Sequence, residues 1–140
     1  VAAVEKFDAA YAKFNETLNK VNAEQSKKQI EKLKKDGKKG YAAAMESTLR
    51  LTELVDKLEK APQNADKVAV EKELSEIEAL LKSINNDRGQ VLSDRYNSVV
   101  GDVRQVLADP SDSNLNNMIE GFNGYIDTYN STTPDQFDAK

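Results

Sequence analysis

The chain has no cysteine and no histidine among its 140 residues. Without cysteine there is no disulfide, no thiolate metal site and no cysteine nucleophile. Without histidine the commonest general base and transition-metal ligand is missing. Serine and threonine therefore have no imidazole to activate them, and no catalytic constellation is expected. Tryptophan is also absent, and five Tyr and four Phe are the only aromatics, so aliphatic side chains must fill most of the core. No run approaches the about 20 uncharged apolar residues that span a bilayer. The segment GKKG, Gly37 to Gly40, has neither the spacing nor the preceding strand of a phosphate-binding loop.

What is present is polar but globular in character. Apolar residues make up 39% and charged residues 31% of the chain, well clear of the apolar-poor composition of disorder. The length suits one domain with one continuous core. Charge is unevenly spread around a net −4. Residues 1–40 hold ten lysines against six acids, residues 41–108 nine bases against twelve acids, and residues 109–140 one lysine against six acids.

Periodicity is helical throughout. Val4, Phe7, Tyr11, Phe14, Leu18 and Val21 form one apolar stripe, which resumes weakly at Ile30 and Leu33. This predicts a first helix near 2–36, continuous or kinked around Ala23–Ser26, with Gly37 and Gly40 as stops. A second helix is predicted at 41–60, ended by Pro62. A third follows at 66–86, capped by Asn64 or Asp66, with Val70, Leu74, Ile77, Leu81 and Ile84 inward. The segment NNDRG, Asn85 to Gly89, reads as a turn before a fourth helix at 90–108. If that turn fails, helices three and four become one kinked rod. A fifth helix at 114–129 presents Leu115, Met118, Ile119, Phe122, Tyr125, Ile126 and Tyr129. No segment alternates like a strand, and short connections make neighbours antiparallel. The expectation is an all-α, up-down antiparallel bundle of four main helices plus one over 1–130, followed by a polar tail at 131–140.

Two surfaces are candidates for function. Lys27, Lys28, Lys32, Lys35, Lys38 and Lys39 fall in one broad helical arc, with Lys34 at its edge and Ile30 and Leu33 opposite. A helix C-terminus favours cations, and Glu24–Lys28 and Glu31–Lys35 have the favourable spacing for ion pairs, so a solvated helix end accounts for the cluster. Its functional reading is an anion-binding face for an anionic membrane or nucleic acid. The lack of Arg and aromatics in the cluster argues against base readout. The other candidate is the fifth helix, rich in Asn and Gly. Asn117, Gly121 and Gly124 share a flank that lets another backbone approach, beside Tyr125 and Tyr129, and together they form a candidate protein-binding face.

Glu71, Glu73, Glu76 and Glu78 lie mostly off the apolar stripe and have no histidine to join them, so neither a metal nor another cofactor is expected. Met45 and Met118 read as core filler. The chain starts at Val1 rather than Met, which is expected to reflect an upstream segment removed from an exported or surface-attached, lipoprotein-like protein. The leading expectation is a non-enzymatic interaction or accessory module, monomeric or weakly oligomeric, with a protein partner. The alternative is a cytosolic module that binds an anionic membrane or nucleic acid through Lys27–Lys39.

Overall fold

The computed structural model describes residues 11–18 and 23–138. Six helices account for nearly all of them: α1 (11–18), α2 (Ala23–Lys35), α3 (Lys39–Lys60), α4 (Lys67–Lys82), α5 (Asp87–Ala108) and α6 (Asp112–Ser131). Short 3-10 turns follow at Pro62–Asn64 and Pro134–Asp138. Val4, Phe7 and Val21 of the first stripe lie outside the described residues, as does the start of the predicted first helix. From α2 onward each helix packs against the next, and α3 also touches α5 and α6, which makes it the central rod. The all-α bundle expected from the stripes is the observed architecture.

Local chemistry explains most boundaries. Gly37 adopts φ +80 and closes α2, with Lys38 N donating to Leu33 O and Gly37 N to Lys34 O, a Schellman arrangement that satisfies the last carbonyls. Asp66 caps α4 by accepting from Val68 N and Ala69 N. Three starts differ from expectation. Asn86 caps α5 through Arg88 N and Gly89 N, so the helix opens three residues early and Gly89 lies inside it. A Cβ at Gly89 would sit 2.6 Å from Ile84. The glycine thus answers a packing demand of the adjoining turn, and helices four and five are distinct. Ser111 caps α6 by accepting from Asn114 N, which moves that start to Asp112. Gly40 lies buried in the first turn of α3 rather than stopping a helix.

The core has two unequal parts. The larger joins α3, α4, α5 and α6, with Leu51, Ile77, Val99, Val103, Ile119 and Phe122 fully buried. From α1, Phe14 completes it, packing edge-on to Phe122 at 5.5 Å. The smaller is Ile30, Ala42 and Leu49, flanked by Leu33 and Met45, and it seats α2 on α3. Ion pairs lace the larger part from outside. Arg50 of α3 reaches Glu73 and Glu76 of α4, while Arg104 of α5 grips Glu71 with two 3.0 Å bonds. Lys82 pairs with Glu78 at 2.9 Å. The acidic crowd on α4 is therefore occupied by bridges.

The C-terminal residues contain more structure than the polar composition suggested. Pro134–Asp138 turns back onto the start of α3, and Phe137 is only 2% exposed. No described helix is long and apolar enough to cross a membrane.

Candidate functional site

α2 is amphipathic because its apolar residues return at positions 30 and 33 while lysines fill the remaining turn. Ile30 is 4% exposed and Leu33 half-buried, so the apolar side is spent on α3. The opposite side is solvent. Lys27, Lys28, Lys32 and Lys35 are exposed around a shallow dip that also takes in Glu31, but the single arc expected of six lysines is not formed: α2 ends at Lys35 and the chain turns at Gly37, leaving Lys38 exposed in the turn and Lys39 exposed at the start of α3.

The counterions expected for this face are elsewhere. Neither Glu24–Lys28 nor Glu31–Lys35 forms an ion pair. Instead Lys34, at the arc's edge, turns to Glu46 of α3 at 3.2 Å and to Glu31 at 3.9 Å. Glu46 also faces Arg50 at 3.8 Å, so Lys34 belongs to the α3–α4 bridge network. None of the six lysines of the strip has an ion-pair partner among the described residues. Residues 24–39 hold seven lysines against three acids, a balance of +4, and the rest of the chain carries −8.

The second candidate surface is broken up by the fold. Tyr125 is fully buried, and its hydroxyl lies 3.0 Å from the Thr48 hydroxyl in the core. Burial pushes its phenol above the ordinary value. It offers nothing to a partner, and its place in the candidate face is corrected on that ground. Tyr129 is half-buried and stacks on Phe137 at 6.0 Å. Burial, then the neighbouring Tyr41, pushes its phenol up.

Gly121 does admit a close neighbour, but that neighbour is a side chain. A Cβ there would meet Asp102 Oδ2 of α5 at 2.5 Å. Burial, then the Glu120 charge, raises the Asp102 carboxyl above its usual range. Asn117 is exposed and Gly124 has open space beside its Cα. The aromatic stripe gave the sign of this outcome: a phenol at a core position of a helix is more often buried than displayed.

Two further clefts open among the described residues. One of about 400 Å³ lies where α1, α2, α3 and α6 meet, and hydroxyls and amides of Thr17, Gln29, Thr48, Thr52 and Asn130 line it. Another of about 670 Å³ opens between the end of α3 and the start of α4, with Leu54, Leu58 and Val70 on its floor and Lys57, Lys60, Lys72 and Glu53 at its rim. Among the described residues no group of three or more acids converges as a metal site would.

Sequence reasoning missed a third feature. α3 has no capping side chain of its own, since Lys38 precedes it. The role falls to Asp138, whose carboxylate accepts from Gly40 N at 2.7 Å and Tyr41 N at 3.1 Å. A helix start with no local cap was the available signal. No protein family, curated protein or solved structure matches this chain.

Proposed function

We propose that this protein is a non-enzymatic interaction module that binds an acidic protein surface through the outer face of α2. The observation that carries the reading is four exposed lysines of α2, Lys27, Lys28, Lys32 and Lys35, without ion-pair partners among the described residues, on a helix whose apolar side is anchored, with Lys38 and Lys39 exposed just beyond its end. A structural lysine at a helix end needs no such strip, and the i,i+4 pairs that would have neutralised it are not made.

The choice of an acidic protein over the other anions follows from what the face contains. A bilayer surface favours large apolar anchors among the cations, whereas Ile30 and Leu33 point inward. Nucleic-acid readout favours Arg and stacking aromatics, and the strip contains neither. The −8 carried by the remaining residues also repels an extended polyanion, while a compact acidic patch meets the lysines alone.

The test uses the whole chain with Lys28→Glu, Lys35→Glu and Lys39→Glu combined. A fluorescent poly-glutamate peptide is expected to bind the unmodified protein at about 0.15 M ionic strength and to be released at high salt. The triple variant is expected to lose binding with its helix content intact. Equal binding by both proteins overturns the reading, and tighter capture of anionic vesicles or duplex DNA than of the peptide overturns the choice of partner.

A further inference from the structure

The residues Gln136, Phe137 and Asp138 occupy a groove that treats them as a ligand. Its floor is Gly40, where a Cβ would fall 2.0 Å from Phe137 O, so no side chain fits beneath the segment. Its walls are Tyr41 and Tyr129, whose rings stack on Phe137 at 6.2 and 6.0 Å. One end is the start of α3, where Gly40 N and Tyr41 N donate to the Asp138 carboxylate. The other is Asn86, whose Nδ2 donates to the carbonyls of Gln136 and Phe137 at 3.1 and 2.9 Å. Ring, carboxylate and backbone are each read separately, on a segment wound into a 3-10 turn.

We propose that this groove is a binding site for a Phe-Asp peptide of another protein, which the chain's own Phe137-Asp138 occupies in competition. The occupant is replaceable because it is short and hangs from α6 by Thr132 and an exposed Thr133. Phe137 is its one buried apolar anchor, and a short segment outside the helices opens locally at less cost than the bundle unfolds. Tethering gives the internal segment a millimolar-scale effective concentration, so an outside peptide wins only when it is abundant, presents extra contacts, or meets a loosened tail. The chemistry required of the partner is an aromatic ring followed by a carboxylate, both on a 3-10 turn whose carbonyls face Asn86. This proposal uses none of the six strip lysines and stands apart from the acidic-surface reading.

The experiment titrates a labelled peptide of the sequence TPDQFDAK, residues 133–140, against full-length chains. Phe137→Ala empties the ring slot, and Asp138→Asn, at an exposed position, loosens the carboxylate end while leaving the ring in place. The peptide is expected to bind Phe137→Ala at least tenfold more tightly than the unmodified chain, with Asp138→Asn between them. Adding Gly40→Ala should abolish the gain, and a peptide carrying Phe137→Ala should not bind. If Phe137→Ala loses its helix content, the Asp138→Asn comparison decides the matter alone. No binding to a variant that keeps its helix content overturns the proposal, as does equal binding by the ring-less peptide. A dimer of the unmodified chain that the peptide dissociates would assign the groove to a second copy and overturn its assignment to another protein.

Discussion

The two flanks of α3 show opposite uses of the same helical pattern. On the α4–α6 side, buried aliphatic residues from four helices interlock, and Arg50 and Arg104 tie charges across the seams. On the α2 side, three buried residues and two half-buried ones make the seat, and the outward lysines make no ion pairs among the described residues. The first flank consumes its charges in holding helices together. The second leaves them in water. Charge that structure does not use is the more informative for function, because nothing in the fold requires it.

This contrast can be broken by measurement. The largest effect belongs to the larger core: Ile77→Ala, at a fully buried position, should cost about 2–5 kcal/mol. Ile30→Ala, in the smaller core, should cost no more than about 2 kcal/mol, because a site at the edge collapses more readily. Urea midpoints compare the two directly, and an equal loss would mean that α2 is as integral to the bundle as α4. Next comes Arg50→Ala, which leaves Glu46, Glu73 and Glu76 facing one another. It should cost about 1 kcal/mol, less as salt rises. The strip behaves differently, since Lys28→Glu, Lys35→Glu and Lys39→Glu together should alter binding far more than stability.

The smallest effect is a gain. The folded-state pKa of Asp102 is raised above 3.8 by burial and by Glu120, so its stabilising form is the protonated one. That contribution is complete below 3.8 and is lost as pH rises through the elevated folded value. Asp102→Asn should therefore raise the thermal midpoint slightly at pH 7, and the difference should fade as the solution is acidified to below 3.8. A midpoint lowered at pH 7 would show that the carboxylate holds α5 to α6 in its charged form.

Much of the fold was readable locally. The stripe through Val70, Leu74, Ile77, Leu81 and Ile84 names residues that are buried. Gly37 and Pro62 end helices where their backbone chemistry requires it. Helix starts were read less well, since several Asn, Asp and Ser residues compete for each cap and neighbouring geometry chooses among them. Asn86 caps α5 and also holds the C-terminal turn, a second role that the turn sequence alone does not show.

The amino-acid order by itself determined the helical class, the main core faces and the exposure of Lys27, Lys28, Lys32 and Lys35, because a 3.6-residue period sorts side chains to one side or the other within a few turns. Tertiary structure decided what lies between distant positions. Tyr125 became a core phenol on Thr48, 77 residues away, and Asp138 became the cap of a helix that begins at Lys39. Such contacts leave no local trace. A short polar segment with one Phe is marginal by composition, and only the groove formed by Gly40, Tyr41, Asn86 and Tyr129 gives its ring and carboxylate a place that water cannot match.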